Sequence, residues 1–128
     1  KSDITIKILK GAANPESATY KTQITGFKFN FLSEDRVTVP PGSTITFVND
    51  DDTTHSFQSG TANYGSHKKY FTPDYKLSTG EIAPGKSKSI KFDEAGFFRL
   101  YDEKYQQIDM TVFVFDATKI PKTKTPLN

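Results

Sequence analysis

The sequence predicts an all-β protein, a Greek-key sandwich of seven to eight antiparallel strands. Three observations carry that expectation. Short runs of alternating apolar and polar residues recur along the whole chain. Clusters of Pro, Gly, Asn, Asp and Ser separate them. No stretch keeps an apolar face at helical spacing for more than a turn or two, which argues for packed sheets alone.

The elements follow in order. Ile4, Ile6 and Ile8 alternate with Thr5 and Lys7, the pattern of a half-buried first strand over Asp3 to Leu9. The segment 11–15 (GAANP) breaks it, and residues 16–23 read as a polar loop. Phe27, Phe29 and Phe31 alternate with Lys28 and Asn30 as a second strand, and Val37 and Val39 continue the pattern. Residues 40–43 (PPGS) form a turn. Thr44 to Asn49 is the clearest strand, with Ile45 and Phe47 on one face. A polar loop at 50–54 leads to a short strand, His55 to Gln58. Residues 59–80 read as a long irregular connection rich in Gly, Ser, Lys and Tyr, a length that usually means function or mobility. Ser87 to Phe92 alternates again, and Asp93 to Gly96 turns the chain. The stretch from Gly96 to Val114 is a strand, a tight polar loop from Asp102 to Asp109, and a last strand. Phe29, Ile45, Phe47, Ile90, Phe92, Phe98 and Val112 are the expected core.

Composition sets outer bounds. With 128 residues the chain holds one domain, 1–117, followed by a polar tail, 118–128. Eleven Phe point to a phenylalanine-filled core. Seventeen basic against fifteen acidic residues leave a net charge of +2, too weak to argue for nucleic acid. Lys68, Lys69 and the tail lysines 119, 122 and 124 then serve solubility. No apolar run approaches the roughly 20 residues of a membrane helix. A chain that starts at Lys1 without a Met fits removal of an N-terminal signal or tag. The absence of Cys excludes disulfides, thiolate ligands and a cysteine nucleophile. No nucleophile–base pair, phosphate-cradling loop or paired-carboxylate motif is present, so the expectation is a monomer that is not an enzyme.

Three separated stretches resemble the plastocyanin-type cupredoxins, the blue copper proteins. One is the run from Val37 to Asn49 (VTVPPGSTITFVN) with Asp51, Asp52 and His55 after it. Another is Ala83 to Gly85 (APG) with Phe92 and Gly96, and the third is the 96–114 stretch. Residues 11–15 add a likeness to microbial secreted members. The resemblance implies a cupredoxin-like sandwich, a place outside the cytoplasm, and His55 as the first copper ligand.

The family's copper loop is spaced Cys, two residues, His, two residues, Met. In the register without gaps Asp102 stands at the cysteine, Tyr105 at the histidine and Ile108 at the methionine. A blue site needs one thiolate and two imidazoles. This chain offers a carboxylate, a phenol and an alkyl group, so the resemblance carries over the fold and not the electron transfer. Two expectations follow. In one, His55, Asp102 and Tyr105 hold copper or zinc at a non-blue site, which His67 joins if the long connection folds over it. In the other, the chain is a metal-free module that binds a protein partner, and Asp102 is an ion-pair partner of His55 in the vacated site. Asp50, Asp51 and Asp52 lack a calcium loop's later Gly and Glu and read as a solvated tip. Tyr64, Tyr70, Phe71 and Tyr75 are expected to pack over the site end, with docking as the alternative.

Overall fold

The computed structural model describes residues 3–13, 31–65 and 69–116. The expected second strand at Phe27 and Phe29, the 16–23 loop, His67 and the tail 118–128 lie outside the described residues. Among the described residues eight strands form: β1 (Asp3–Ile8), β2 (Arg36–Val39), β3 (Ser43–Asn49), β4 (His55–Tyr64), β5 (Lys69–Ile82), β6 (Ser87–Phe92), β7 (Gly96–Asp102) and β8 (Asp109–Val114). They make two sheets, ordered β1-β3-β6 and β2-β8-β7-β4-β5.

The period-two pattern sets which face of each strand is buried. In β3 the residues from Ser43 to Asn49 alternate strictly, with Ile45 and Phe47 fully enclosed. Ile6 and Ile8 of β1 and Ile90 and Phe92 of β6 extend that inner face. The opposite sheet answers with Val37, Val39, Phe57, Ile82, Leu100, Met110, Val112 and Val114. Two aromatic pairs bridge the sheets. Phe47 stacks on Phe57 with ring centroids 5.2 Å apart, and Phe92 meets Phe98 edge-on at 5.7 Å.

Three expectations need correction. The sandwich is not wholly antiparallel: β1 runs parallel to β3 and β2 parallel to β8. A pattern of alternation tells which face is buried but not the direction of the neighbour. Phenylalanine does not dominate the core. Among the described residues isoleucine supplies more of the buried set, Phe98 is only half-buried, and Phe97 and Phe115 are 59 % and 44 % exposed.

The 59–80 connection is not irregular; nearly all of it lies in β4 and β5, which pair from His55↔Ile82 out to Tyr64↔Lys69. Gly60, Pro73 and Gly80 interrupt its apolar alternation, and the register slips at Phe57/Gln58 and Gln58/Gly60. Beyond the slip the hairpin becomes an arm lying over Tyr101. Phe71 stacks on the Tyr101 ring at 4.5 Å, and a Cβ added at Gly60 would come within 2.8 Å of that ring. Of the four aromatics expected to pack, only Phe71 is buried; Tyr64, Tyr70 and Tyr75 are exposed.

Phe47 is wholly buried and touches the opposite sheet, so Phe47→Ala should cost about 3–5 kcal/mol in urea unfolding. A loss below about 1 kcal/mol would place the ring outside the core.

Candidate functional site

The site lies where β3 hands over to β4 and β7 hands over to β8. Asn49, buried at the end of β3, fixes the first of these turns. Its amide donates to the carbonyls of Thr53 at 2.7 Å and Ile82 at 2.8 Å, and its side-chain oxygen accepts from the Asp51 N–H at 2.9 Å. This aims Asp51 inward and brings His55 to the first position of β4, 1 % exposed.

His55 lies between two carboxylates. Nδ1 is 2.5 Å from Asp102 Oδ2, and Nε2 is 2.8 Å from Asp51 Oδ2. Both acids are buried, Asp51 at 6 % and Asp102 at 1 % exposure. Their remaining acceptor sites are filled by backbone N–H groups. Asp51 accepts from Gly11 at 2.8 Å, Asp52 at 2.8 Å and Ala13 at 3.1 Å. Asp102 Oδ1 accepts from Lys104 at 2.8 Å and Tyr105 at 3.0 Å, a local turn that folds the 102–109 loop back on itself.

Burial draws the imidazole toward its neutral form, but the hydrogen bonds and charges of Asp102 and Asp51 outweigh it. The net result is a histidine pKa raised above 6.5. For Asp51, burial raises the pKa, yet the His55 bond and the three backbone donors win and lower it below 3.8. Both shifts favour the His55 imidazolium paired with the Asp51 carboxylate.

The other sequence candidates meet at the same pole. The Tyr105 ring lies edge-on to His55 at 5.4 Å, half-buried against the core, with the Lys104 ammonium 6.0 Å from its centroid. Ile108 is fully buried, and its backbone bonds close the loop onto Tyr105 and Asp102. The structure therefore brings His55, Asp102 and Tyr105 together. It also adds Asp51, which the sequence reading left as part of a solvated tip. The available signal was an aspartate four residues before the histidine, two after a strand-ending Asn.

A blue copper ion does not fit these residues. There is no thiolate, and the position expected to give a second imidazole gives a phenol. Two ligands of a tetrahedral ion, each at ~2.0 Å, lie about 3.3 Å apart, wider than the 2.5 Å between His55 and Asp102. Among the described residues no group of three or more His, Cys, Asp or Glu is disposed to hold a metal.

The family model of copper binding proteins, plastocyanin/azurin family, matches residues 18–115. Among solved structures, a purple cupredoxin from Nitrosopumilus maritimus aligns with a TM-score of 0.64 at 24 % identity, over 88 % of this chain and all of that one. Amicyanin from Paracoccus versutus aligns at 0.52 and 15 % identity, over 88 % of this chain and 81 % of that one. A Cu(I) form of a mutant amicyanin aligns at 0.53 and 15 % identity, over 90 % and 84 %. These structural likenesses speak for the fold. No curated protein matches the chain.

A proton titration of His55 followed by NMR should give a pKa above 6.5, and Asp51→Asn and Asp102→Asn should each lower it. A wild-type value at or below 6.5 would contradict the charged arrangement.

Proposed function

The chain belongs to the plastocyanin/azurin family of copper-binding proteins, and from that premise we propose that it is a metal-free member. In this reading it is an extracytoplasmic β-sandwich that binds a protein partner instead of carrying electrons. One observation carries the metal-free part: both ring nitrogens of His55 are engaged by carboxylates. A metal would have to displace the ring proton and at least one of these bonds, and imidazolium cannot ligate. The same engagement argues against acid–base catalysis, because the ring is enclosed and has no nitrogen left for a substrate.

The partner-binding part is supported by exposed aromatic side chains. Phe97 and Phe113 pair at 5.3 Å, and Phe115 lies beside them along a shallow apolar cleft of about 520 Å³. Tyr64 and Tyr75 are 74 % and 84 % exposed on the arm. Exposed aromatic rings are the residues that protein interfaces favour. The extracytoplasmic placement rests on the family, and no helix among the described residues is long and apolar enough to cross a membrane.

A second reading keeps copper or zinc at a non-blue site. It is favoured by the convergence of His55, Asp102, Asp51 and Tyr105 on one pole. Nitrogen and oxygen donors suit either ion once the ring loses its proton.

Calorimetric titration of Cu²⁺ and of Zn²⁺ at pH 7 separates the two. The metal-free reading expects wild type and His55→Ala to give the same background heat. Saturable uptake by wild type that disappears in His55→Ala would put the metal reading in its place.

A further inference from the structure

A second polar site lies on the outer face of the five-stranded sheet, away from the His55 pole. β4 pairs with β7 only from Phe57↔Asp102 to Ser59↔Leu100, whereas β7 begins four residues earlier, at Gly96. Beyond Ser59, β4 leaves β7 and travels with β5 in the arm. The divergence opens a cleft of about 410 Å³, within the range of small-molecule sites. Gly60 and Asp74 line its arm side together with Lys76, and Phe97 and Arg99 line its β7 side.

Arg99 distinguishes this cleft from an ordinary groove. Phe97, Arg99 and Tyr101 alternate onto the outer face of β7. Tyr101 is sealed by Phe71 and Gly60, while Phe97 stays open, so Arg99 sits at the boundary between covered and bare sheet. Its Nε is buried and has no hydrogen-bond partner among the described residues. A buried guanidinium N–H without an acceptor is unfavourable, and a water or an anion in the cleft would satisfy it. Asp74 does not serve. Its Oδ1 is taken by the Ser59 hydroxyl at 2.6 Å and the Lys76 N–H at 3.0 Å, and no ion pair joins it to Arg99 among the described residues.

We propose that this cleft binds a small organic monocarboxylate, with the guanidinium of Arg99 holding the two carboxylate oxygens and Phe97 covering an aryl or branched-alkyl body. The side-on edge of a guanidinium offers two parallel N–H groups that match a carboxylate. Two cations, Arg99 and Lys76, face one carboxylate, Asp74, so the cleft carries a single surplus positive charge. That favours a monoanion over a dianion such as phosphate. The exposed Phe97 ring favours an apolar substituent over a bare ion. This site is independent of the His55 pole, and its test does not depend on whether that pole binds metal.

The test is an NMR titration of the full chain with benzoate, reading the Arg99 side-chain Nε–H signal. Benzamide and inorganic phosphate serve as controls. Benzoate should shift the Arg99 signal saturably, at millimolar affinity, and benzamide should leave it in place. Arg99→Gln, with its backbone spectrum otherwise retained, should weaken benzoate binding at least about tenfold, read from the Phe97 and Gly60 amides. If Arg99→Gln does not fold, Lys76→Gln at the cleft edge should still weaken binding measurably. Several results would overturn the proposal. One is no saturable shift, which would leave water as the partner of Nε. Others are benzamide binding as well as benzoate, phosphate binding more tightly, or benzoate binding unchanged in the folded variants.

Discussion

The pole of this sandwich is organised by one imidazole ring held between two acids. Asp51, His55 and Asp102 come from the β3–β4 turn, the start of β4 and the end of β7. Asp51 also reaches the backbone of Gly11 and Ala13 after β1, and Asp102 reaches that of Lys104 and Tyr105. A single constellation therefore ties both sheets and three connecting segments. Its net contribution to stability need not be large, because withdrawing three charges from water costs much of what their attraction returns. Its effect is to fix geometry. Removing His55 leaves two buried carboxylates without their counterpart, and breaking a buried pair in this way costs about 3–5 kcal/mol.

The copper family's fold persists here around a pole with different chemistry. Asp102 accepts from the ring and from two backbone amides, Tyr105 lies edge-on against the ring, and Ile108 is part of the core. The Phe47–Phe57 and Phe92–Phe98 contacts also join the sheets, through the interior and away from that pole. The core fixes the frame, and the frame leaves the pole free to diverge.

Much of this was legible in the residues. Alternation at Ile4 to Ile8, Thr44 to Asn49 and Ser87 to Phe92 marks strands because one face is buried and the other solvated. The 102–109 loop between two strands was readable from its polar run, and Asp102 and Tyr105 do meet at His55, while Ile108 lies in the core. Asp51 was not legible. Three consecutive aspartates look solvated, and only the Asn49 side chain, by capturing the Asp51 N–H, turns one of them inward. The β4–β5 arm escaped for a related reason. Its strands pair mainly with each other and bury little apolar surface, so glycines and a proline masked the pattern. The parallel neighbours of β1 and β2 are a matter of connectivity, which side-chain periodicity does not encode.

The account turns on His55 being charged inside the fold. Its folded pKa lies above the unfolded value, so the stability it supplies is complete below about pH 6.5 and is lost as pH rises through the folded pKa. Asp51 works in the opposite sense, since its lowered pKa makes its contribution complete above the unfolded value and lost only in strong acid. The most direct measurement is the urea unfolding free energy of wild type minus that of His55→Gln, followed from pH 5 to about pH 9. The charged-ring account predicts a gap that is widest at the acidic end of this range and narrows with rising pH, by at most about 1.4 kcal/mol per unit for one proton. A gap that stays constant or widens as pH rises would mean that the ring is neutral between the two acids, and the account would fail.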